Sequence, residues 1–461
     1  MTRKKELNIG LIAMSGIRAC DPELLELGLT LPGFVQRSKT IASLPSLGLL
    51  TLAGMTPKRH RVQYIEVDQF EEDEHLPETV PGDFDLVAIS TFTAQALEAY
   101  ALARKLLDQG VMVVMGGLHA TSIPEEVAAH GLSVAVGEGE ITWPRILKDA
   151  QSGKLQAVYR SAPEEFDLAD APMPAFELLD ISRYNRLTVQ TSRGCPWHCS
   201  FCASSILLTR KYKQKPMDKV LAEIDKIRTF WKRPFIEFAD DNAFVHRAYW
   251  HQLLPEIEKR HIRWFAETDL SVAEDEELLL KMRRAGCEQV LIGFESPDGA
   301  GLDSVELKSN WKAKNLPHYK EAIRRIQFNG VRVNACFVLG LDGQTPDSFE
   351  AVREFVDQTQ PFDVQITYQT PFPNTPLYKQ LQSTNRLTHD GEWNRHTLFD
   401  INYKPADMTR EQLRAGFFKL TKQLYSNQAT KARHDHFAEC YKASPALQER
   451  PALRRTESTT A

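Results

Sequence analysis

Two long stretches of this chain alternate short apolar runs with amphipathic helical segments, and this alternation constrains the fold more than any other feature. The apolar runs are rich in Val and Ile, which is typical of parallel strands buried on both faces of a sheet. Short loops between strands and helices predict an α/β chain with parallel sheets covered by helices. The first stretch, with the runs NIGLIAM, VQYIEV, DLVAIS, VMVVMGG and LSVAVG, is therefore predicted to be a doubly wound domain.

The second stretch begins at residue 187 and contains six further runs: RLTVQTS, FIEFADD, RWFAETD, QVLIGFES, RVNACFVLG and VQITYQTPF. Six strands with helices between them predict a partial (β/α)6 barrel. Polar residues follow several of these strands, and the residues at the carboxyl ends of barrel strands line one mouth. We therefore expect an active site at that mouth.

The remaining sequence divides around these two stretches. A segment rich in Pro and Asp predicts an extended linker. Near the C-terminus, Thr409 and Gln412 have the spacing of a capping box, and an apolar stripe at helical spacing follows them. The predicted organisation is a doubly wound domain over 7–155, a linker over 156–186, a barrel over 187–390, a helical C-terminal region over 391–442 and a disordered tail over 443–461.

Composition excludes several classes of protein. A net charge of −5 over 461 residues argues against a nucleic-acid partner, which requires a concentrated basic face. No stretch approaches the ~20 apolar residues of a membrane-spanning helix. The seven cysteines are odd in number and scattered, unlike a disulfide framework, which indicates a reducing compartment. We therefore expect a cytoplasmic protein without a transmembrane segment.

Three of the seven thiols cluster in RGCPWHCSFCA, at Cys195, Cys199 and Cys202. Three thiolates on a short loop can hold three corners of a [4Fe–4S] cluster and leave the fourth iron open to a small molecule. Zinc is the alternative, with His198 or a remote residue as fourth ligand. Structural zinc sites usually have two C-x2-C arms, and no second arm is present. The spacing therefore favours an iron–sulfur cluster.

This motif resembles that of the radical S-adenosylmethionine (SAM) enzymes, C-x3-C-x-aromatic-C, with Phe201 at the aromatic position. In that family the open iron chelates SAM, and its reductive cleavage gives a 5′-deoxyadenosyl radical that abstracts hydrogen from the substrate. The segments EFADDNAF, GFES, FVLGLDG and PFPNTPLY also resemble barrel segments of the family. The resemblance implies that Glu295 and Ser296 contact the amine and ribose of SAM and that Phe201 lies near the adenine. It also implies that Asp241 and Gly340 belong to the cofactor site.

The N-terminal stretch is similar to the Rossmann-like cobalamin-binding domain of class B radical SAM methyltransferases, in SLPSLGLLTLAGM, FDLVAISTFT, VVMGGLHATSIPEE and VGEGEITWPRIL. In such domains small residues after the third and fourth strands line the slot for the nucleotide tail, where they let the cofactor approach the backbone. The residues at the strand ends that we predict to contact cobalamin are Ser90, Thr91, Gly116, Gly117, His119, Gly137 and Glu138.

One departure affects the cobalamin prediction. The D-x-H-x-x-G motif that supplies a histidine to cobalt is missing after the second strand, where VDQFEED stands. Bound cobalamin would therefore lack that histidine as its lower ligand. A domain that serves as a scaffold and binds no cobalamin is the alternative.

The resemblance implies cobalamin-dependent methylation of an unactivated carbon in a small-molecule or lipid-like substrate, with flavodoxin or ferredoxin as electron donor. An oxidative cyclisation or rearrangement without methyl transfer is a second hypothesis, and a sensor without turnover is a third. The segment PDGAGLDSVELKSNWKAKN resembles that of cobalamin-type radical SAM proteins such as the hopanoid methylases, which favours methylation. A tRNA methylthiotransferase is disfavoured because its N-terminal domain brings three further cluster cysteines, whereas this one has only Cys20.

Overall fold

The computed structural model contains two six-stranded parallel sheets with helices packed around them. None of its described helices is both long and apolar enough to cross a membrane. Most of the predicted disordered tail lies outside the described residues. The structure describes residues 5–26, 44–71, 75–162, 165–204 and 211–444.

The first sheet has the strand order β2-β1-β3-β4-β5-β6, and all its strands are parallel. Because β1 lies between β2 and β3, the direction of chain progression reverses there, and sheets of this order bind ligands outside the carboxyl ends of their strands. The five strands predicted from the sequence are confirmed. The elements are β1 (Asn8–Met14), α1 (Pro22–Glu26), α2 (Leu47–Met55), β2 (Arg61–Val67), β3 (Leu86–Ser90), α3 (Ala96–Asp108), β4 (Met112–Gly116), α4 (Leu118–Ser122), α5 (Pro124–Ala129), β5 (Ser133–Val136), α6 (Gly139–Gln151) and β6 (Val158–Arg160).

The sixth strand, β6, lies in the segment predicted to be a linker. It pairs parallel with β5, with Tyr159 opposite Ala135, and Tyr159 is completely buried. A single buried residue between two exposed ones gives too short a pattern to distinguish a strand from a loop. The segment that follows forms three short 3-10 helices, Leu168–Asp170, Phe176–Leu178 and Ile181–Arg183, so it is not simply extended.

The second sheet has the order β14-β13-β12-β11-β10-β7, and its six parallel strands are the six predicted ones. A separate two-stranded ribbon, β8 with β9, is antiparallel. The elements are β7 (Leu187–Val189), β8 (Ser192–Arg193), β9 (Lys213–Gln214), α7 (Met217–Arg228), β10 (Phe235–Phe238), α8 (Arg247–Glu258), β11 (Arg263–Thr268), α9 (Glu276–Arg284), β12 (Cys287–Glu295), α10 (Trp311–Asn315), α11 (Tyr319–Phe328), β13 (Arg332–Leu339), α12 (Asp347–Thr359), β14 (Asp363–Tyr368) and α13 (Pro376–Ser383).

Side-chain alternation along the barrel strands separates an apolar outer face from a polar inner face. On β12, Val290, Ile292 and Phe294 belong to the large hydrophobic core under the helices. The intervening residues, Gln289 and Leu291, face the inside of the barrel because successive side chains of a strand point to opposite sides. The inside of the barrel, which we call the lumen, is thus lined by polar as well as apolar residues.

The C-terminal region packs on the barrel as two helices, α14 (Arg410–Leu424) and α15 (Asn427–Lys442). The predicted capping box is confirmed. Thr409 N donates to Gln412 Oε1 at 2.8 Å, and Gln412 N donates to Thr409 Oγ1 at 3.1 Å. The apolar stripe of α14, which is buried in the barrel's hydrophobic core, consists of Leu413, Phe417, Leu420 and Leu424.

Candidate functional site

The loop that carries the three cysteines leaves the carboxyl end of the barrel's first strand and is fixed there by two consecutive aspartates. Asp240 is buried and accepts hydrogen bonds from Thr191 N at 2.7 Å and Ser192 N at 2.8 Å. Asp241 accepts from Gly194 N at 2.9 Å, directly before Cys195. Burial raises the pKa of Asp240 to about 6, although its hydrogen bonds oppose the rise. The backbone ahead of the first cysteine is therefore held from the neighbouring strand end.

The three cysteines are partly buried, and none of them forms a disulfide. Burial raises the pKa of Cys195 and of Cys199 to about 12. The neighbouring thiols of the loop also raise the pKa of each, by a smaller effect. In the described part of the chain, no three His, Cys, Asp or Glu side chains converge as they would around one metal ion.

His198, the fourth ligand of the zinc alternative, is engaged elsewhere. Its Nε2 lies 3.0 Å from Lys308 Nζ, and its Nδ1 lies 3.3 Å from the carbonyl oxygen of Pro196. His198 is half-buried at this position. These contacts weigh further against zinc.

A second support for the cysteine loop comes from the segment after β12, and sequence reasoning did not predict it. Ser200 N donates to Val305 O at 2.7 Å, and Leu307 N donates to His198 O at 3.0 Å. The Glu306 carboxylate accepts from His198 N at 3.2 Å. Burial opposes ionisation of Glu306, but hydrogen bonds from Ser309, Lys308 and His198 lower its pKa to about 2. The only sequence signal was the resemblance of this segment to other cobalamin-type proteins.

The resemblance assigned Phe201 and Glu295 to SAM; Phe201 lies in the cysteine loop, and Glu295 lies beside it. Phe201 packs with Cys199 against a small apolar cluster that contains Val305. Glu295 ends β12 with a φ of 63°, and its carboxylate accepts from Lys312 Nζ at 2.6 Å. Lys312 also lowers the pKa of Cys199, against the larger effect of burial. An ion pair therefore lies next to the second cysteine.

Ser296 and Gly340 have structural partners. Ser296 is completely buried, and its Oγ donates to Asp298 Oδ1 at 2.7 Å. Gly340 has a φ of 89°, and a Cβ atom at this position would lie 2.0 Å from Tyr403 Oη. That hydroxyl donates to the Gly340 carbonyl oxygen at 2.8 Å. Gly340 thus permits a close approach of the C-terminal region to the barrel.

A cavity of about 370 Å³ lies between the carboxyl ends of the first sheet and the mouth of the barrel. Its barrel wall includes Arg193 and Asp241. Much of the opposite wall is flat because it consists of glycines, which have no side chain. At Gly117 the backbone φ of 94° is also one that other residues rarely adopt. Such a cradle fits a flat group that approaches the backbone. The predicted cobalamin residues that line this cavity are Ser90, Gly116, Gly117, Gly137 and Glu138.

Thr91 and His119, which were also predicted to contact cobalamin, do not line this cavity. Thr91 Oγ1 donates to the Phe92 carbonyl oxygen at 2.9 Å. His119 is completely buried in α4, and its Nε2 lies 2.8 Å from Tyr100 Oη. The Trp393 ring packs edge-on against it at 5.7 Å. The short helix α4 directs the His119 side chain into the core. The sequence alone could not show this direction, because it depends on packing against Trp393 from a distant part of the chain.

The burial of His119 predicts acid sensitivity. Burial lowers the pKa of His119 and of His396 to about 4. Between pH 7 and pH 5 the unfolded chain takes up protons that the folded chain excludes, so each histidine is expected to lower the free energy of unfolding by roughly 2 kcal/mol. The free energy of unfolding is measured by urea unfolding at pH 7 and at pH 5. Its decrease between the two pH values should be smaller in His119→Gln than in the unchanged protein by about that amount. Equal losses in the two proteins would contradict this prediction.

Three ion pairs join the first domain to the ribbon that flanks the cysteine loop. Arg193 lies 2.8 Å from Glu140 and 3.5 Å from Glu138. Lys213 Nζ donates to Glu138 Oε1 at 2.8 Å. Glu138, predicted as a cofactor contact, is thus a partner of two cations as well as part of the cavity wall. Sequence reasoning missed Arg193 and Lys213 because their partners are more than 50 residues away.

Comparison with protein families gives three matches along the chain. The family profile of the Radical SAM superfamily matches residues 189–356, and that of the B12 binding domain matches residues 39–147. A domain of unknown function, DUF4070, matches residues 375–460. The first two matches coincide with the barrel and with most of the first sheet.

Two curated relatives match over most of the chain. Bacteriochlorophyllide d C-12(1)-methyltransferase of Chlorobaculum tepidum is 28% identical over 403 residues, which cover 84% of this chain and 84% of the relative. Hopanoid C-2 methylase of Rhodopseudomonas palustris is 29% identical over 362 residues, which cover 76% of this chain and 66% of the relative.

A solved structure shares the fold. The cobalamin-dependent S-adenosylmethionine radical enzyme OxsB, with aqua-cobalamin and S-adenosylmethionine bound, superposes with a TM-score of 0.65 at 15% identity and covers 94% of this chain and 71% of its own. The family matches assign a [4Fe–4S] cluster, SAM and cobalamin as cofactors. The chain belongs to the radical SAM superfamily and carries a B12-binding domain ahead of its radical SAM domain.

Proposed function

We propose that this enzyme methylates an unactivated carbon of a small-molecule or lipid-like substrate, with cobalamin as the carrier of the methyl group. The observation that carries the proposal is the cavity between the B12-binding sheet and the cysteine loop, because it brings the two cofactor regions to one space. Relatives named as methyltransferases support methyl transfer over the cyclisation hypothesis.

When bound, the cluster and SAM supply the radical and cobalamin supplies the methyl group. The chain's own residues hold and orient these groups. Cys195, Cys199 and Cys202 are the proposed cluster ligands, and Asp241 and Glu306 hold the backbone between and around them. Such support matters because small displacements of reacting groups lower rates strongly.

For the SAM site we propose Phe201, which lies in the cysteine loop, and Glu295, whose partner Lys312 acts on Cys199. Hydrogen bonds within the barrel account for Ser296 and Gly340 without a cofactor. For cobalamin we propose the cavity-lining Ser90, Gly116, Gly117, Gly137 and Glu138.

The electron donor and the location belong to the same proposal. A radical SAM enzyme requires a reductant, and we propose flavodoxin or ferredoxin for that role. None of the seven cysteines forms a disulfide, which supports a reducing compartment and hence the cytoplasm.

Product analysis tests the proposed reaction. The reconstituted enzyme is incubated with SAM, dithionite, added cobalamin and candidate substrates under anaerobic conditions. A methyltransferase of this type is expected to form 5′-deoxyadenosine and S-adenosylhomocysteine together with methylated product. Deoxyadenosine without S-adenosylhomocysteine would instead establish a rearrangement, and the absence of both from every substrate mixture would favour a sensor.

A further inference from the structure

Within the described parts of the chain, the lumen contains one carboxyl group without a hydrogen-bond or ion-pair partner, that of Glu267. Glu267 lies on β11 opposite Leu291 of β12, a lumen-facing residue. Its side chain is exposed to the lumen and makes no hydrogen bond or ion pair with the described residues. Enclosure in the barrel and, to a smaller extent, the nearby carboxyls of Glu237 and Asp241 raise the pKa of Glu267 to about 8.

The cations near Glu267 are already paired. Arg186 donates to Glu237, the lumen residue one strand away, and is almost completely buried. Lys312 Nζ donates to Glu295 Oε1 at 2.6 Å. The Glu267 carboxyl is therefore left without a cation among the described residues, and its raised pKa keeps it protonated at pH 7. The other ionisable groups on the inner face of the barrel are Asp241, Cys336, Asp363, Arg263 and Arg332.

Two buried amides on the same inner face have side-chain atoms without a hydrogen-bond partner among the described residues. Gln289, two residues before Leu291 on β12, is 0% exposed, and neither its Oε1 nor its Nε2 has a hydrogen-bond partner among the described residues. Asn334, which pairs with Leu291 from β13, is 1% exposed, and its Oδ1 has no described partner. An unsatisfied buried polar group costs about 1–3 kcal/mol, so the lumen is suited to a ligand that supplies hydrogen bonds.

We propose that the lumen binds a protonated amine of the substrate and that Glu267 is the residue that pairs with it. This inference rests on the proposed function, because it names the substrate class of that site. A hydrocarbon would leave Glu267 and the buried amide oxygens unsatisfied, and an anion would be repelled by the carboxyls. An ammonium group supplies three donors to this lumen, and its positive charge favours the ionised form of the Glu267 carboxyl.

Calorimetric titration of the full-length enzyme with benzylamine tests this inference, with benzyl alcohol and benzoate as uncharged and anionic analogues. Benzylamine is expected to bind saturably, and both analogues more weakly. Glu267→Gln is expected to weaken benzylamine binding roughly tenfold or more, because it removes a charge-assisted hydrogen bond. Repeating the titration at pH 7 in buffers of different ionisation enthalpy should reveal a proton released on binding, since the unliganded Glu267 carboxyl holds one.

Glu277→Gln is the matched control, because Glu277 makes an ion pair on the exposed surface of α9, outside the lumen. It should bind benzylamine as the unchanged enzyme does. Glu267→Ala, a second variant, should lose affinity as Glu267→Gln does, and thermal unfolding of both verifies that they are folded. Equal binding by Glu267→Gln, equal binding of an analogue, or no saturable binding of benzylamine would each overturn the inference.

Failure of this inference and failure of the proposed function give different results. Amine binding is measured without SAM, whereas the proposed reaction is measured by its products. Glu267-dependent binding in an enzyme that makes no S-adenosylhomocysteine would refute methylation alone. If the enzyme forms methylated product but the Glu267 variants bind benzylamine as the unchanged enzyme does, only the amine site is refuted.

Discussion

Cys199→Ala is expected to reduce SAM cleavage to background, because two remaining thiols cannot hold the cluster as three do. The substitution leaves the backbone support of the loop intact, since the bonds from Ser200 N to Val305 O and from Leu307 N to His198 O do not involve the thiol. Lost activity would therefore reflect the missing sulfur rather than an unfolded loop. Deoxyadenosine is measured by chromatography, and iron content and visible absorption are measured on the same protein.

Cys440→Ala serves as the control for this variant. Cys440 is a free thiol on α15, outside the cysteine loop, so its removal should leave iron content and cleavage unchanged. Cleavage retained by Cys199→Ala would refute the assignment of the cluster to this loop.

Gly116→Leu is expected to weaken cobalamin binding roughly 100-fold, because the added side chain must occupy the cavity. Gly116 ends β4 in the cavity wall, and a Cβ atom there would lie 3.6 Å from Ala135 Cβ, an ordinary contact. The backbone therefore accepts a side chain, and the conflict arises only from atoms beyond Cβ. Binding is measured from the change in cobalamin absorption on titration with the protein.

Gly116→Ala is the control that distinguishes the effect of filling the cavity from the effect of losing the glycine. Its single methyl group meets only the Ala135 contact, so cobalamin affinity should remain within a few-fold of that of the unchanged enzyme. Deoxyadenosine formation should persist in Gly116→Leu while methylation is lost. Unimpaired cobalamin binding in Gly116→Leu would place the cofactor outside this cavity.

The strands were predictable because buried parallel strands consist of consecutive apolar residues, a pattern that the sequence shows directly. In β3, for example, four of its five residues are buried, so Val and Ile accumulate without alternation. The strand β6 escaped prediction because its three residues gain stability from pairing with β5 rather than from their own pattern. The orientation of α4, which buries His119, likewise depends on packing against Trp393 from the C-terminal region.

The site was predictable only in its chemistry. The spacing of the cysteines indicated the cluster, but not the partners of the loop that carries them. Glu306 contacts His198 across 108 residues of sequence, and Arg193 contacts Glu140 across 53. Such pairs form through tertiary structure, and no local periodicity encodes them. The inward direction of the Glu267 side chain follows from strand register. That it has no partner among the described residues is seen only once the neighbouring strands are placed around it.

The support of the cysteine loop by the segment after β12 has a consequence for the order of events during synthesis. The ribosome releases Ser200 about 100 residues before Val305, its hydrogen-bond partner. At 5–20 residues per second the three thiols emerge roughly 5–20 s before the backbone that holds them is complete. During that interval the nascent chain exposes three unsupported thiols to oxidants and to adventitious metals. We therefore expect iron–sulfur assembly factors to deliver the cluster to a chain already elongated past residue 309.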